Sequence, residues 1–320
     1  MKATQILKVT DQIQVNATGI LNLPKPWSAG LIFADDRILD LLTTLTPLEP
    51  LKRHQDVRLH RTENTGTWLL NLESFCEWQE CNENNNRVFC CYGIPGAGKT
   101  VIWYGFKSPI DLIMKAQRTN VYYYLPYSSV VIDHLYSQFY KHTNIGIACL
   151  YADYKDQNTQ TVVHILGSFL HQLLATATEP IPDEVIQKLQ EIKRLRGKLS
   201  TEDSLALLKI RIHQLKQAFI CIDAVDELEP SVCRQLLRIL EQLSTKNIRI
   251  FLTGRHYIQS EVQKCFQVAQ KYTAIISASP PDIEAFTRQQ ILDDPYAEGA
   301  MDEVLEMEII DAIIEKSQGM

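Results

Sequence analysis

Gly93, Ile94, Pro95, Gly96, Ala97, Gly98, Lys99 and Thr100 match the spacing GxxxxGK[ST] and follow an apolar run, "RVFCCYG". The residue types suit one chemistry. Glycines let backbone amides turn inward around phosphate oxygens, Lys99 reaches the β- and γ-phosphates, and the Thr100 hydroxyl ligates Mg²⁺. Such a loop needs an acidic strand end to partner the metal. "AFICIDAVDE" supplies one, its apolar half delivering Asp223 to a carboxyl end, where ligands bind in open parallel sheets. Asp223 is expected to hold magnesium through water, and Asp226 or Glu227 to orient or deprotonate an attacking water. A third strand end, "IRIFLTGRH", places Arg255 where a guanidinium can read a γ-phosphate. Alone, that arginine reads equally well as a solvated surface group; beside the other two motifs it joins the candidate set.

A parallel sheet must position these groups. Short apolar runs at 87–93, 145–153, 218–224, 248–254 and 273–279 alternate with helical patterns, as expected for an α/β fold with five mainly parallel strands flanked by helices. Val162, Ile165, Leu166, Phe169, Leu170, Leu173 and Leu174 recur at a helical period, as do Leu205, Leu208, Ile212 and Leu215. Ser200 with Asp203, and Ser279 with Asp282, have capping-box spacing, and Pro230 suits a first helical turn. Beyond the fifth run the pattern is purely helical, with Leu305, Ile309, Ile313 and Ile314 on one face. The expected organisation is a helical and irregular segment at 1–60, a core at 61–279 and the start of a helical lid at 280–320.

Composition narrows the function classes. The chain has 320 residues, 45% hydrophobic and 22% charged, with a net charge of -6 and a pI near 5.8, which gives no electrostatic reason to expect nucleic acid or anionic membrane as a partner. Lys193, Arg194, Arg196 and Lys198 form a local basic cluster that reads as a solvated helix end. No apolar run has the length of a membrane helix and the start lacks a signal-peptide core, so a cytoplasmic location is expected. The eight cysteines lack zinc spacing and read as reduced structural thiols; His164 and His171 read as packing or surface groups.

Taken together, the motifs resemble those of NACHT-type STAND P-loop NTPases, in particular the nephrocystin-3-like N-terminal module of filamentous fungi. The resemblance spans roughly residues 30–320 and rests on "RHQDVR", "TGTWLL", "GIPGAGKT" (Walker A), "CLYADYKDQNTQT", "ICIDAVDEL" (Walker B) and "FLTGRH". It implies a regulatory switch in which bound ADP holds a closed form and ATP favours an open, self-associating one, with ATP preferred over GTP, Mg²⁺ as cofactor and slow hydrolysis. Lys99, Thr100, Asp223 and Arg255 carry over as phosphate, magnesium and sensor residues. Ala224 stands where glycine is common and Gly254 where serine is common. Such proteins continue into a full helical lid, a winged-helix element and often repeats, so the resemblance implies a longer protein. Two other readings stay open: a P-loop ATPase that turns over rapidly, and a nonfunctional fragment or scaffold without nucleotide binding.

One stretch departs from the pattern. After Ile102 the helix expected to follow the loop meets Gly105, Pro109 and Pro126 before an apolar-periodic continuation at Ser129. A helix interior resists glycine by about 1 kcal/mol and proline by about 3 kcal/mol. Trp103-Tyr104-Gly105 must be encoded TGG-TAY-GGN, which contains GTAYG, a usual opening of a fungal intron; Thr119-Asn120 and Tyr127-Ser128 permit a branch sequence and a terminal TAG. Residues 104–128 are therefore read as a translated intron or an inserted loop.

Overall fold

The structure, a computed structural model, describes residues 42, 45–59, 61–62, 65–80, 87–93, 127–139, 142, 144–176, 181–194, 199–244, 246–266, 272–276, 279–293, 297 and 301–318. Residues 94–100 of the loop motif and 104–126 of the interruption lie outside them. In chain order the elements are α1 (Pro50–Leu59), α2 (Glu73–Glu80), β1 (Val88–Tyr92), α3 (Tyr127–Phe139), β2 (Ile145–Tyr151), α4 (Val162–Thr176), α5 (Asp183–Arg194), α6 (Thr201–Gln214), β3 (Gln217–Asp223), α7 (Pro230–Leu243), β4 (Ile248–Gly254), α8 (Gln259–Phe266), β5 (Thr273–Ile275), α9 (Pro280–Leu292) and α10 (Glu303–Gln318).

All strand pairs are parallel, in the order β2-β3-β4-β1-β5. Strands of such a sheet are covered on both faces, and β1 to β4 are apolar and almost wholly buried. Right-handed crossovers then decide which helix covers which face. The path from β1 to β2 runs toward one edge and puts α3 on one face, where Val131, Ile132 and Leu135 meet Phe75, Trp78, Phe89 and Phe251. The path from β2 through β3 and β4 to β5 runs the other way and puts α4, α6, α7 and α8 on the opposite face. The connections leaving β1 and β4 therefore diverge to opposite faces, so the carboxyl ends of these neighbours frame the topological switch point, where open α/β sheets bind ligands.

The edge strand β2 has its outward backbone groups filled by side chains. Gln172 accepts from Cys149 N at 2.9 Å and donates to Cys149 O at 2.9 Å; Gln160 accepts from Asp153 N at 3.1 Å and donates to Tyr151 O at 2.9 Å. The sheet is thus closed to further pairing there. Gly167, inside α4, is required because a Cβ would collide with the Leu45 carbonyl oxygen.

Capping follows the expected residues. Ser200 accepts from Asp203 N at 3.0 Å and Ser279 from Asp282 N at 3.3 Å, while Pro230 opens α7 behind a Glu229 cap. Three expectations shift. The fifth strand ends at Ile275, which is exposed, rather than near residue 279. In α10 the buried face is Ile309, Ile310 and Ile313, with Leu305 outside it. The helix expected to resume at Ser129 begins at Tyr127, and Ser128 and Ser129 are both buried. Among the described residues no helix is long and apolar enough to cross a membrane.

Candidate functional site

Three segments distant in sequence finish side by side at the carboxyl edge of the sheet. The Gly93 amide donates to the Gly254 carbonyl at 3.1 Å, tying the start of the loop motif to the end of β4. Asp223, buried at the end of β3, accepts from the Thr253 hydroxyl at 2.6 Å, and that hydroxyl accepts from Ala224 N at 2.8 Å. The chain can turn this sharply only because Ala224 takes φ 52 and ψ 47. This left-handed conformation costs a non-glycine residue about 1–2 kcal/mol, which gives the physical reason glycine suits the position.

After that turn the two following carboxylates separate in environment. The Asp226 side chain is 1% exposed; its Oδ1 accepts from Arg255 N at 3.0 Å and its Oδ2 pairs with Arg255 Nε at 3.2 Å. Glu227 is only half-buried. Its carboxyl is pushed up to about 7, first by burial and then by the charges of Asp223, Asp226 and Asp153, against a bond from the Tyr154 backbone. A carboxyl titrating near neutrality beside ionised neighbours is the arrangement general-base chemistry uses. Asp153 follows the end of β2 by two residues, where it caps a short turn and accepts from Lys155 N at 2.9 Å. The donor set here is oxygen-rich and negatively charged, as a hard divalent cation requires. Among the described residues no group of three or more acidic, histidine or cysteine side chains is placed to hold a metal ion by itself.

A second cluster joins the segment before β1 to this edge. His54 is buried, its Nδ1 2.6 Å from the Tyr151 hydroxyl and its Nε2 3.2 Å from Asp133 Oδ1. Asp133, on α3, also pairs with Arg61 at 2.8 Å and Arg58 at 3.5 Å, and Arg53 lies 3.4 Å from Asp153. The "RHQDVR" stretch therefore holds α3 and the end of β2 through its cations.

Of the sequence candidates, the structure brings together Gly93, Asp223, Asp226, Glu227 and Arg255. Ile94, Pro95, Gly96, Ala97, Gly98, Lys99 and Thr100 lie outside the described residues. Asp153 and Asp133 were missed. Asp153 had a readable signal, an acid directly after an apolar run; Asp133 had none, being one acid on an amphipathic helix. His164 lies in the first turn of α4 with its Nδ1 2.7 Å from the Thr159 carbonyl. Lys193 and Arg194 fall in the exposed last turn of α5. Burial pushes the Cys90 thiol up to about 12 and raises the Cys149 and Cys221 thiols above their usual range, so these are packed thiols, not nucleophiles.

Fold and edge together define an α/β protein with a five-stranded parallel sheet and an acidic cluster at its switch point. The model of the family "Nephrocystin 3, N-terminal" matches residues 64–129 and 125–255, together more than half of the 320 residues, and the chain belongs to that family. The two pieces meet at residues 125–129, where the interruption ends. No curated protein matches the chain. Among solved structures it is similar to the Aeropyrum pernix ORC1 protein in complex with DNA, at 12% identity and TM-score 0.40, covering 79% of this chain and 53% of that one. It is also similar to the Walker-type ATPase paby2304 of Pyrococcus abyssi, at 15% identity and TM-score 0.41, covering 80% and 64%. A third likeness is Drosophila ORC bound to AT-rich DNA and Cdc6, at 10% identity and TM-score 0.37, covering 86% and 37%. The chain thus spans about half the length of the ORC1 protein. At this similarity the structures bear on neither ligand nor partner.

Proposed function

We propose that this chain is the nucleotide-binding module of a STAND-type signalling switch, holding Mg-ATP or Mg-ADP between the carboxyl ends of β1 and β4 and hydrolysing ATP slowly. One observation supports this most: the segment ends bearing Gly93, Asp223 to Glu227 and Thr253 to Arg255 are hydrogen-bonded neighbours at the switch point of one parallel sheet. In this reading the backbone amides of Ile94, Gly96, Ala97 and Gly98 would wrap the phosphates, and Lys99 would contact the β- and γ-oxygens. Bound magnesium would neutralise phosphate charge, with Thr100 and Asp223 as its protein partners. Asp223 is pre-oriented by Thr253. Between the two candidate bases, Glu227 suits the role better: Asp226 has both oxygens committed to Arg255, whereas Glu227 titrates near neutrality and can take a proton from water. Arg255 faces the γ-phosphate.

The organisation that goes with this reading is a preceding segment at 1–60, a core at 61–279 and the first helices of a lid at 280–320, with self-association in a longer protein. Nucleotide extracted from freshly purified protein tests it. A switch retains close to one ADP or ATP per chain and completes few turnovers. A rapid ATPase carries none and cycles freely, and a nonfunctional fragment does neither.

A further inference from the structure

The contacts around Asp226 concern Arg255 rather than water. Asp226 Oδ1 accepts the backbone N–H of Arg255 at 3.0 Å, and Oδ2 lies 3.2 Å from the Arg255 Nε in an ion pair, on a side chain that is 1% exposed. The Tyr257 hydroxyl closes the turn by donating to the Asp226 carbonyl at 3.2 Å. This approach depends on Gly254, where a Cβ would lie 3.2 Å from Asp226 Oδ1 and 2.8 Å from Ile258 Cγ2. Arg255 itself is 43% exposed and its two terminal nitrogens bond to no described residue. A guanidinium has five N–H donors in a rigid fork, and an ion pair made at Nε leaves the two terminal nitrogens available to a second anion. Arg255 follows Gly254, whose carbonyl holds Gly93, so that pair stands at the switch point.

The geometry points to Asp226 as the positioning residue for Arg255: it locks the guanidinium by Nε and the backbone so that the two terminal nitrogens meet the terminal phosphate of a bound nucleoside triphosphate as a preformed fork. The role rests on the nucleotide-binding reading above. A carboxylate in this place is held by the arginine it serves and does not act on the water. Preorganisation also accounts for an acid with a buried side chain in the turn after β3, since the cation it positions lies against it.

The test compares dissociation constants for Mg-ATP and Mg-ADP, measured by calorimetry, in the wild type, Arg255→Ala, Arg255→Lys, Asp226→Asn and the double variant Asp226→Asn/Arg255→Ala. Loss of a charge-assisted fork lowers the preference for ATP over ADP by about tenfold. Arg255→Lys keeps the charge but has no Nε, so it is expected to lose the preference as fully as Arg255→Ala. Asp226→Asn is expected to do the same with Mg-ADP affinity unchanged, which also shows that the variant folds. The double variant is expected to be no worse than Arg255→Ala alone. A wild-type ratio in Arg255→Lys overturns the role, and that arm decides the matter if Asp226→Asn does not fold. So does a wild-type ratio in a folded Asp226→Asn, or in Arg255→Ala. Failure of the wild type to bind either nucleotide removes the nucleotide reading itself, an outcome distinct from binding with an unaltered ratio.

Discussion

Glu227 titrates at 4.5 when unfolded and at about 7 when folded, so over that window the native protein holds a proton that the unfolded chain has released. Its contribution is fully present below pH 4.5 and is lost as pH rises through about 7. Glu227→Gln removes the penalty: at pH 8 the variant is expected to be more stable than the wild type by about 1–2 kcal/mol, below the full linkage value because solvent screens a half-exposed carboxylate. At pH 4 the two should coincide. Urea titrations at both pH values check this, and a variant no more stable at pH 8 would show that Glu227 is not strained by its neighbours. The same residues show what spacing can reveal. "ICIDAVDE" placed three acids at one strand end, because an apolar run dictates where a parallel strand stops. It left Asp226 and Glu227 interchangeable, because their difference comes from Arg255 and Asp153, which only the folded sheet brings near.

Helix α3 is held by a hub whose parts are scattered through the sequence. Burial alone would raise the Asp133 carboxyl, but the hydrogen bond and charge of His54 and the Arg61 and Arg58 guanidiniums outweigh it and bring it below the usual value of 3.8. A depressed carboxylate adds stability above pH 3.8 that is lost as pH falls through its folded value. Asp133→Asn is expected to lower stability at pH 7 by about 2 kcal/mol, between the values for exposed and buried pairs, and to flatten the acid limb of the stability profile below pH 4. Denaturation midpoints from pH 2.5 to 7 read both effects; parallel profiles for variant and wild type would mean that the cations make no use of Asp133. The strands, the caps at Ser200 and Ser279 and the start of α7 were legible because each is fixed by residues within a few positions. The shortness of β5 was not, since only one neighbour, β1, pairs with it and its pairing stops at Ile275. Nor was the outward turn of Leu305, since the face α10 buries is set by its packing with α9 near Ile283.

The strand order β2-β3-β4-β1-β5 is the step local pattern could not supply, because it depends on which crossovers pack together. It is also what turns three motifs into one site. The interruption bears on the same site, since it runs from just after the loop motif into the first two residues of α3. We propose that residues 104–128 are a translated intron. A mature transcript is expected to run from the Ile102 codon through one fused cysteine codon into Ser129, and reads that cross the region without a junction would establish an inserted loop instead. The divided family match at 125–129 and the burial of Ser128 in the first turn of α3 are the two observations beside it. The nucleotide-binding account as a whole turns on a single comparison, calorimetric titration of Mg-ADP and Mg-ATP into the wild type and Lys99→Ala. Saturable binding at one site per chain, weakened at least about tenfold in Lys99→Ala, is predicted from loss of a charge-assisted phosphate contact. Equal affinities in the two proteins, or no heat of binding in either, would contradict it.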